Sequence, residues 1–380
     1  MPDTITLQTI AKNLSLTKTT VSVALRGKPG VSELLRATIV AEAKRLGYKP
    51  NPVAAELMSL VRDQRKAKSR ETIAFVNTFQ DPGLIKQTVG LRRLLEGAAE
   101  QAAQYGYRVE EFCMVGRDMN ATRLDHMLKA RGIRGLLIGP RWLEEPEVAL
   151  DWPQYSCVVM GEASFKAKIH RVASHHAQVM KLALARMTAL GYRRIGIELT
   201  SNYEAAREFE FLAGIGPAEY ALGQQAHFFT RLRPLNRTAP NTVSPLAPDD
   251  RTPAPTAYTK LAESPELESW INEQRLDALI THEIYDPKEL LSIKTEVGHP
   301  IGYAVLDADP ASDIAGVDQH PTHTGKTAME LLRALLHAGE RGQVAHPRIV
   351  LLEGSWVDGQ TAPGRPTSIE GDATKATTVR

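Results

Sequence analysis

The chain has 380 residues, 43% of them hydrophobic, which is enough to bury more than one core, and neither a membrane span of about 18 apolar residues nor a signal-peptide core is present. Its net charge of +2 hides a division: residues 1–70 carry 13 Lys and Arg against 5 Asp and Glu, and the remainder carries 33 against 39. A basic end on an acidic body suits a phosphate-binding head joined to a separate sensing body, and the expected setting is the cytoplasm.

The first elements are short helices with caps. Thr6 can cap a helix that turns Leu7, Ile10, Ala11 and Leu14 inward. Ser15-Leu16 then makes a tight turn, and Thr17 can cap a second helix, Lys18–Leu25, burying Val21, Ala24 and Leu25. The opposite face presents Lys18, Thr19 and Ser22, small hydrogen-bonding groups and a cation. Such groups suit a recognition helix whose first residues meet base edges in the major groove. Ser32 caps a third helix carrying Leu35, Ile39, Ala43 and Leu46, which Gly47 stops. Tyr48-Lys49-Pro50-Asn51-Pro52 leads into a last apolar turn holding Val53, Ala54, Leu57 and Met58. One or two turns of helix are marginal alone in water, so this turn needs a partner to order it. The linker that follows, LVRDQRKAKSRE, is charged.

These residues resemble the DNA-binding headpiece of the LacI/GalR family. Thr6, Leu7, Ile10, Ala11, Thr20, Val21, Ser22, Leu25, Val31, Ser32, Leu46, Gly47, Tyr48, Pro50, Asn51, Ala54 and Leu57 match its pattern at its spacing. Two positions depart from it: Ser15 stands where the family has a turn Gly, and Val23 where it has a base-reading Arg. The resemblance implies a helix-turn-helix headpiece over 1–48 and a hinge helix and linker over 49–70. It implies DNA contacts by Thr6, Thr17, Lys18, Thr19, Thr20, Ser22, Val23, Asn51, Ala54 and Leu57. It also implies a homodimer whose two Leu57 side chains wedge into the minor groove of a near-palindromic duplex. Val23 puts the family's operator sequence aside, because an apolar group meets a thymine methyl rather than a guanine edge.

From Thr72 onward short apolar strands alternate with amphipathic helices, the signature of parallel α/β sheets. The predicted strands are Ile73–Asn77, Tyr107–Phe112, Gly135–Gly139, Cys157–Met160, Arg194–Leu199, Ala278–Thr281, Ile301–Val305 and Ile349–Glu353. The predicted helices are Gly90–Tyr105, Ala121–Arg131, Ala177–Gly191, Glu266–Gln274 and Thr324–Ala338. Residues 237–255, rich in Pro, Thr and Ala, read as a long surface loop, and 364–380 as a disordered tail. The two cysteines, Cys113 and Cys157, sit in apolar stretches and read as free thiols.

The body also resembles that family, in its periplasmic-binding-protein-like (type I) ligand domain. RVASHH at 171–176, LGYRRIGI at 190–197, LDALITHE at 276–283, IAGVDQ at 314–319 and EGSWVDGQT at 353–361 carry the likeness. The resemblance implies a two-lobed ligand-binding and dimerisation domain over 71–363, with the chain crossing between lobes three times and a small molecule in the cleft.

Ligands of open α/β sheets bind outside the carboxyl ends of the strands. That rule selects Asn77, Thr78, Phe79, Arg141, Trp142, Glu162, His175, His282, Glu283 and Asp307 as candidates, with Asp307 and then Arg141 foremost. Carboxylates and fork donors suit hydroxyl-rich ligands, and an aromatic stacks on a sugar face, so the expected effector is a carbohydrate. His175 stands where the family has Asp, and Phe211 where it has an Arg before L-A-G. Arg207, one turn earlier, is the substitute candidate, and the departures leave a non-sugar ligand open. No Gly-rich phosphate loop follows the first strand, and no metal-ligand spacing occurs, so no cofactor or metal is expected. Neither a Ser-His-Asp order nor a paired-carboxylate motif supports an enzyme. A transport-type binding protein is opposed by the headpiece.

Overall fold

In the computed structural model the described residues are 6–25, 30–48, 71–79, 82–114, 119–140, 148–161, 167–201, 209–233 and 258–365. The hinge positions Asn51, Ala54 and Leu57 lie outside them, as do Arg141, Trp142, Glu162 and Arg207. The chain divides into two units, Met1–Arg70 and Glu71–Arg380.

Among its described residues the first unit holds three helices, α1 (Leu7–Asn13), α2 (Lys18–Leu25) and α3 (Glu33–Arg45). Thr6 caps α1 reciprocally: its side chain accepts from Thr9 N and its own N–H donates to Thr9 Oγ1 at 3.3 Å. Ser15 takes the left-handed conformation (φ 53°) at the turn, as a non-glycine residue can at some cost, and Thr17 Oγ1 accepts from Thr20 N at 3.1 Å to cap α2. Ile10, Ala11, Val21, Ala24, Ile39 and Ala43 are buried together. At the end of α3 the Gly47 and Tyr48 amides donate to the Lys44 and Ala43 carbonyls, with Gly47 left-handed.

The second unit holds two six-stranded sheets. Lobe 1 is built from β1 (Glu71–Asn77), β2 (Tyr107–Cys113), β3 (Gly135–Ile138), β4 (Ser156–Met160), β5 (His170–Ser174) and β11 (Ile349–Leu352), in the order β11-β5-β4-β3-β1-β2, all parallel. Lobe 2 contains β6 (Arg194–Thr200), β7 (His227–Arg233), β8 (Ala278–Thr281), β9 (Gly302–Val305), β10 (Ala315–Asp318) and β12 (Ser355–Val357), in the order β12-β10-β9-β8-β6-β7. Only the β10–β12 pair in that list is antiparallel. The described helices are α4 (Leu84–Gln87), α5 (Val89–Gln104), α6 (Ala121–Ala130), α7 (His176–Ala189), α8 (Ile215–Leu222), α9 (Pro265–Glu273), α10 (Pro287–Leu290) and α11 (Pro321–Ala338). Each sheet buries apolar side chains on both faces, as a sheet between helical layers must.

The chain passes between lobes three times, at 174–176, 318–321 and 352–355. Although α11 follows a lobe 2 strand, it packs into lobe 1 against α5. That crossing requires glycine on both helices: a β-carbon at Gly97 would lie 2.0 Å from Thr322 O, and one at Gly325 would lie 2.0 Å from Leu94 O.

Each of the eight predicted strands is present, with ends shifted by a residue or so. Four strands escaped prediction: β5, β7, β10 and β12. Two of them, β10 and β12, are only four and three residues long, and β7 is a half-exposed edge strand of mixed polarity, so neither an apolar run nor a clean alternation marks them. Past the predicted end of the body, Arg365 is held: its amide donates to Leu190 O, and its guanidinium lies 4.6 Å over the Tyr192 ring.

Candidate functional site

On the first unit, Thr17, Lys18 and Thr19 are exposed at the start of α2, while Thr20, Ser22 and Val23 are half-buried along it. Thr6 is exposed at the cap of α1. The cap geometry explains the placement: Thr17 uses its hydroxyl on the Thr20 amide, and Val21 and Ala24 turn to the core, leaving Lys18 and Thr19 outward. Asn13 Nδ2 donates to Glu42 Oε1 at 2.9 Å, and Arg45 grips the same carboxylate with two hydrogen bonds of 2.7 and 2.8 Å. These bonds, Arg45 first, hold the Glu42 carboxyl down at about 2 and tie α1 to α3.

In the body, the three crossovers leave from the carboxyl ends of β5, β10 and β11. Asn77, Thr78 and Phe79 follow β1 as expected, but their side chains are enclosed. Asn77 Nδ2 donates to Pro82 O (3.2 Å) and Glu111 Oε1 (2.7 Å), and its Oδ1 accepts from Phe79 N. Thr78 Oγ1 donates to Pro140 O at 3.0 Å, and Phe79 packs into the lobe 1 core. In this arrangement the three residues shape the turn after β1.

His175 caps α7, its Nδ1 accepting from Gln178 N at 3.3 Å. The neighbouring His176 is buried, with Nδ1 3.2 Å from Glu210 Oε2. Its ring lies 4.3 Å from that of Phe211, which lies 5.6 Å from that of His282. Three rings from three segments thus line up inside lobe 2, with Phe211 where the family resemblance would place an Arg.

His282 and Glu283 are both half-buried beyond β8. Thr200 Oγ1 donates to Glu283 Oε1 at 3.1 Å, and the Arg233 guanidinium pairs with the other carboxylate oxygen. Behind them sits Glu198, which the sequence reading did not single out. It is 4% exposed, accepts a hydrogen bond from the Tyr285 hydroxyl, and lies 3.7 Å from Arg231 Nε and 4.0 Å from Arg233 Nε. Burial pushes its carboxyl up, against the downward pull of Tyr285 and the two Arg. The signal was available: a lone Glu within the apolar strand RIGIELT, and Arg at alternate positions 231 and 233 of the adjoining strand.

Asp307 follows β9 and is half-buried. It faces the opposite lobe: a β-carbon at Gly90, in the first turn of α5, would stand 3.2 Å from Asp307 Oδ2. One turn further along α5, Arg93 donates to both oxygens of Asp318, at 3.4 and 3.3 Å. The Asp318 carboxylate also accepts from the amide of His320, which is left-handed (φ 53°) at the second crossover.

Two mainly parallel α/β lobes joined by three crossovers, with polar groups near the strand ends, give the second unit a periplasmic-binding-protein-like fold. Comparison with known proteins places this domain more narrowly. No family model matches the chain. A 214-residue segment, 55% of the chain, is 25% identical to the HTH-type transcriptional regulator AscG of Escherichia coli (strain K12), spanning 59% of that protein. A second regulator, NtdR of Bacillus subtilis (strain 168), matches at 22% identity over 57% of its length, so each match spans less than two thirds of the curated relative. Among solved structures, the transcriptional regulator CelR in complex with cellobiose aligns over 94% of this chain and 99% of its own, at 16% identity and TM-score 0.50. The lac repressor dimer bound to operator and the anti-inducer ONPF aligns over the same shares, at 17% identity and TM-score 0.50. These matches bear out the resemblance to the LacI/GalR family, and the proteins named are regulators of transcription, not enzymes.

Proposed function

We propose that the chain is a dimeric, sequence-specific DNA-binding regulator whose operator affinity is set by a small molecule held between the two lobes. The observation that carries this reading is the association, in one chain, of a capped, outward-facing Thr17-Lys18-Thr19 turn on a three-helix unit with a three-crossover, two-lobed body. Thr6, Thr17, Lys18, Thr19, Thr20, Ser22 and Val23 form the helix-turn-helix contact surface. Asn51, Ala54 and Leu57 act in the hinge, where paired Leu57 side chains kink a near-palindromic operator. The effector lies among Arg141, Trp142, Glu162, His175, Arg207, His282, Glu283 and Asp307, with Asn77, Thr78 and Phe79 forming the turn beneath them. Its binding changes lobe closure and hence hinge spacing, so effector and operator alter each other's affinity by the same factor. The regulator works in the cytoplasm and needs no cofactor.

The favoured effector is a neutral carbohydrate, because half-buried carboxylates at the strand ends suit hydroxyl donors and the CelR relative is a cellobiose complex. One observation favours a non-sugar effector instead: the buried Phe211, packed beside His176 and His282, stands where a fork donor would serve a sugar.

Selection from randomised duplexes tests the DNA half: a palindromic site should emerge, its binding weakening steeply with salt and vanishing on deletion of residues 1–60. Sequence-independent binding would sink it. A thermal-shift screen of the full chain against mono- and disaccharides and heteroaromatic small molecules tests the effector half, since specific binding raises stability by mass action. Asp307→Ala should abolish the shift; an undiminished shift removes Asp307 from the site.

A further inference from the structure

One face of α5 touches lobe 2 and the crossover at three successive points. Gly90 meets Asp307, Arg93 meets Asp318, and Gly97 meets Thr322 at the start of α11. Spacings of three and four put these positions in one row along the helix. The row therefore runs from the residues after β9 in lobe 2, past the end of β10, to the start of α11 in lobe 1.

The first contact is electrostatic in kind. The preceding residue, Thr88, gives the helix no side-chain cap bond, and the Asp307 carboxylate lies beside the second residue of this 16-residue helix, near its positive end. Glycine makes the approach possible. A β-carbon at position 90 would stand 3.2 Å from Oδ2, inside ordinary van der Waals distance, so the carboxylate would have to give by a few tenths of an ångström, and a bulkier side chain would displace it further.

We propose that Asp307 is a latch between the lobes: its carboxylate, seated against the first turn of α5 beside Gly90, holds the cleft closed, and an effector must offer donors that replace this contact. The effector clause rests on the function proposed above. The latch itself does not, and it is read without effector or DNA, so its failure leaves that function standing.

The full-length protein is studied as wild type, D307N, G90V and the double variant G90V/D307N. Hydrogen exchange is followed over residues 89–93, and the cross-cleft distance is measured between spin labels at the exposed positions Gln87 and Ala311, in a Cys113→Ser background. D307N keeps the side-chain shape, so it carries the test should G90V not fold. Each single variant should speed exchange at least about threefold, the scale of one charge–helix-end interaction, and lengthen or broaden the label distance. The double variant should go no further than the larger single effect, because both changes remove one contact. Less than threefold faster exchange in D307N, an unchanged label distance, or a double effect equal to the product of the singles overturns the latch.

Discussion

The Tyr285 hydroxyl donates a 2.5 Å hydrogen bond to Glu198 Oε2, joining the loop after β8 to the middle of β6 beneath the strand ends of lobe 2. The acceptor is a buried carboxylate flanked by Arg231 and Arg233, and Arg233 in turn holds Glu283 beyond the end of β8. A chain of polar contacts thus connects an interior charge to a candidate effector residue.

Removing the donor should therefore leave a buried acceptor unsatisfied. Tyr285→Phe is expected to lower stability by about 1–3 kcal/mol in chemical denaturation of the full chain. A loss under a few tenths would show that Tyr285 contributes packing alone. Linkage adds a second reading. Burial raises the Glu198 carboxyl in the folded state, so its contribution is fully present below the ordinary carboxylate range and is lost as pH rises through the raised value. Wild type should lose more stability than Glu198→Gln between pH 4.5 and 8; equal losses would exclude a raised carboxyl.

This cluster marks the boundary of what the sequence disclosed. The strands that carry it were visible where they formed apolar runs, such as Ile195 to Leu199 and Ala278 to Thr281. The edge strand β7 was not, because His227 to Arg233 mixes polar and apolar groups without a clean alternation and neither face is fully buried. Strand-end logic put His175 at a crossover, Asp307 beside the opposite lobe, and His282 and Glu283 just past β8, since it depends only on topology. It also selected Asn77, Thr78 and Phe79, whose side chains turn inward to satisfy the loop after β1. Position along a strand predicts where a residue sits; hydrogen-bond demand nearby decides which way it faces. Interlobe partners such as Gly90 and Asp307, over 200 residues apart in number, leave no local pattern to read.

The first unit carries its own pH signature. Hydrogen bonds from Arg45, then Asn13, hold the Glu42 carboxyl at about 2, well under the ordinary range near 4.5. For a lowered carboxyl the contribution is present above the unfolded value and disappears as pH falls through the folded one. Glu42→Ala should therefore speed hydrogen exchange over residues 33–46 at neutral pH, and the difference from wild type should vanish as pH falls toward 2. Equal protection in both proteins at neutral pH would mean the tie from α1 to α3 adds nothing.

Helix packing in lobe 1 offers a sharper steric test. A methyl at position 325 would be driven to 2.0 Å from the Leu94 carbonyl, a backbone atom that cannot rotate away. Gly325→Ala should force α5 and α11 apart and destabilise the body by about 1–3 kcal/mol or more, read from the denaturation midpoint. Gly216→Ala is the control, because its β-carbon meets open space. Similar losses at both positions would refute the close crossing.

The proposed recognition helix, α2, makes two different predictions on one surface. Lys18 is exposed at the start of α2, and a cation there neutralises backbone phosphate whatever the base sequence. Lys18→Ala should weaken binding to the selected operator and to its variants alike, and lower the slope of log K against log salt by about 1. Val23 is half-buried one turn further on and has no charge to release. Val23→Ala should leave the salt slope unchanged and relax preference at one base pair, where a thymine methyl is lost as a partner. Affinities measured across single-base operator variants at several salt concentrations separate the two effects. If Val23→Ala changes neither preference nor affinity, α2 does not read bases through that position, and the operator is read from the Thr17–Thr19 turn and the hinge instead.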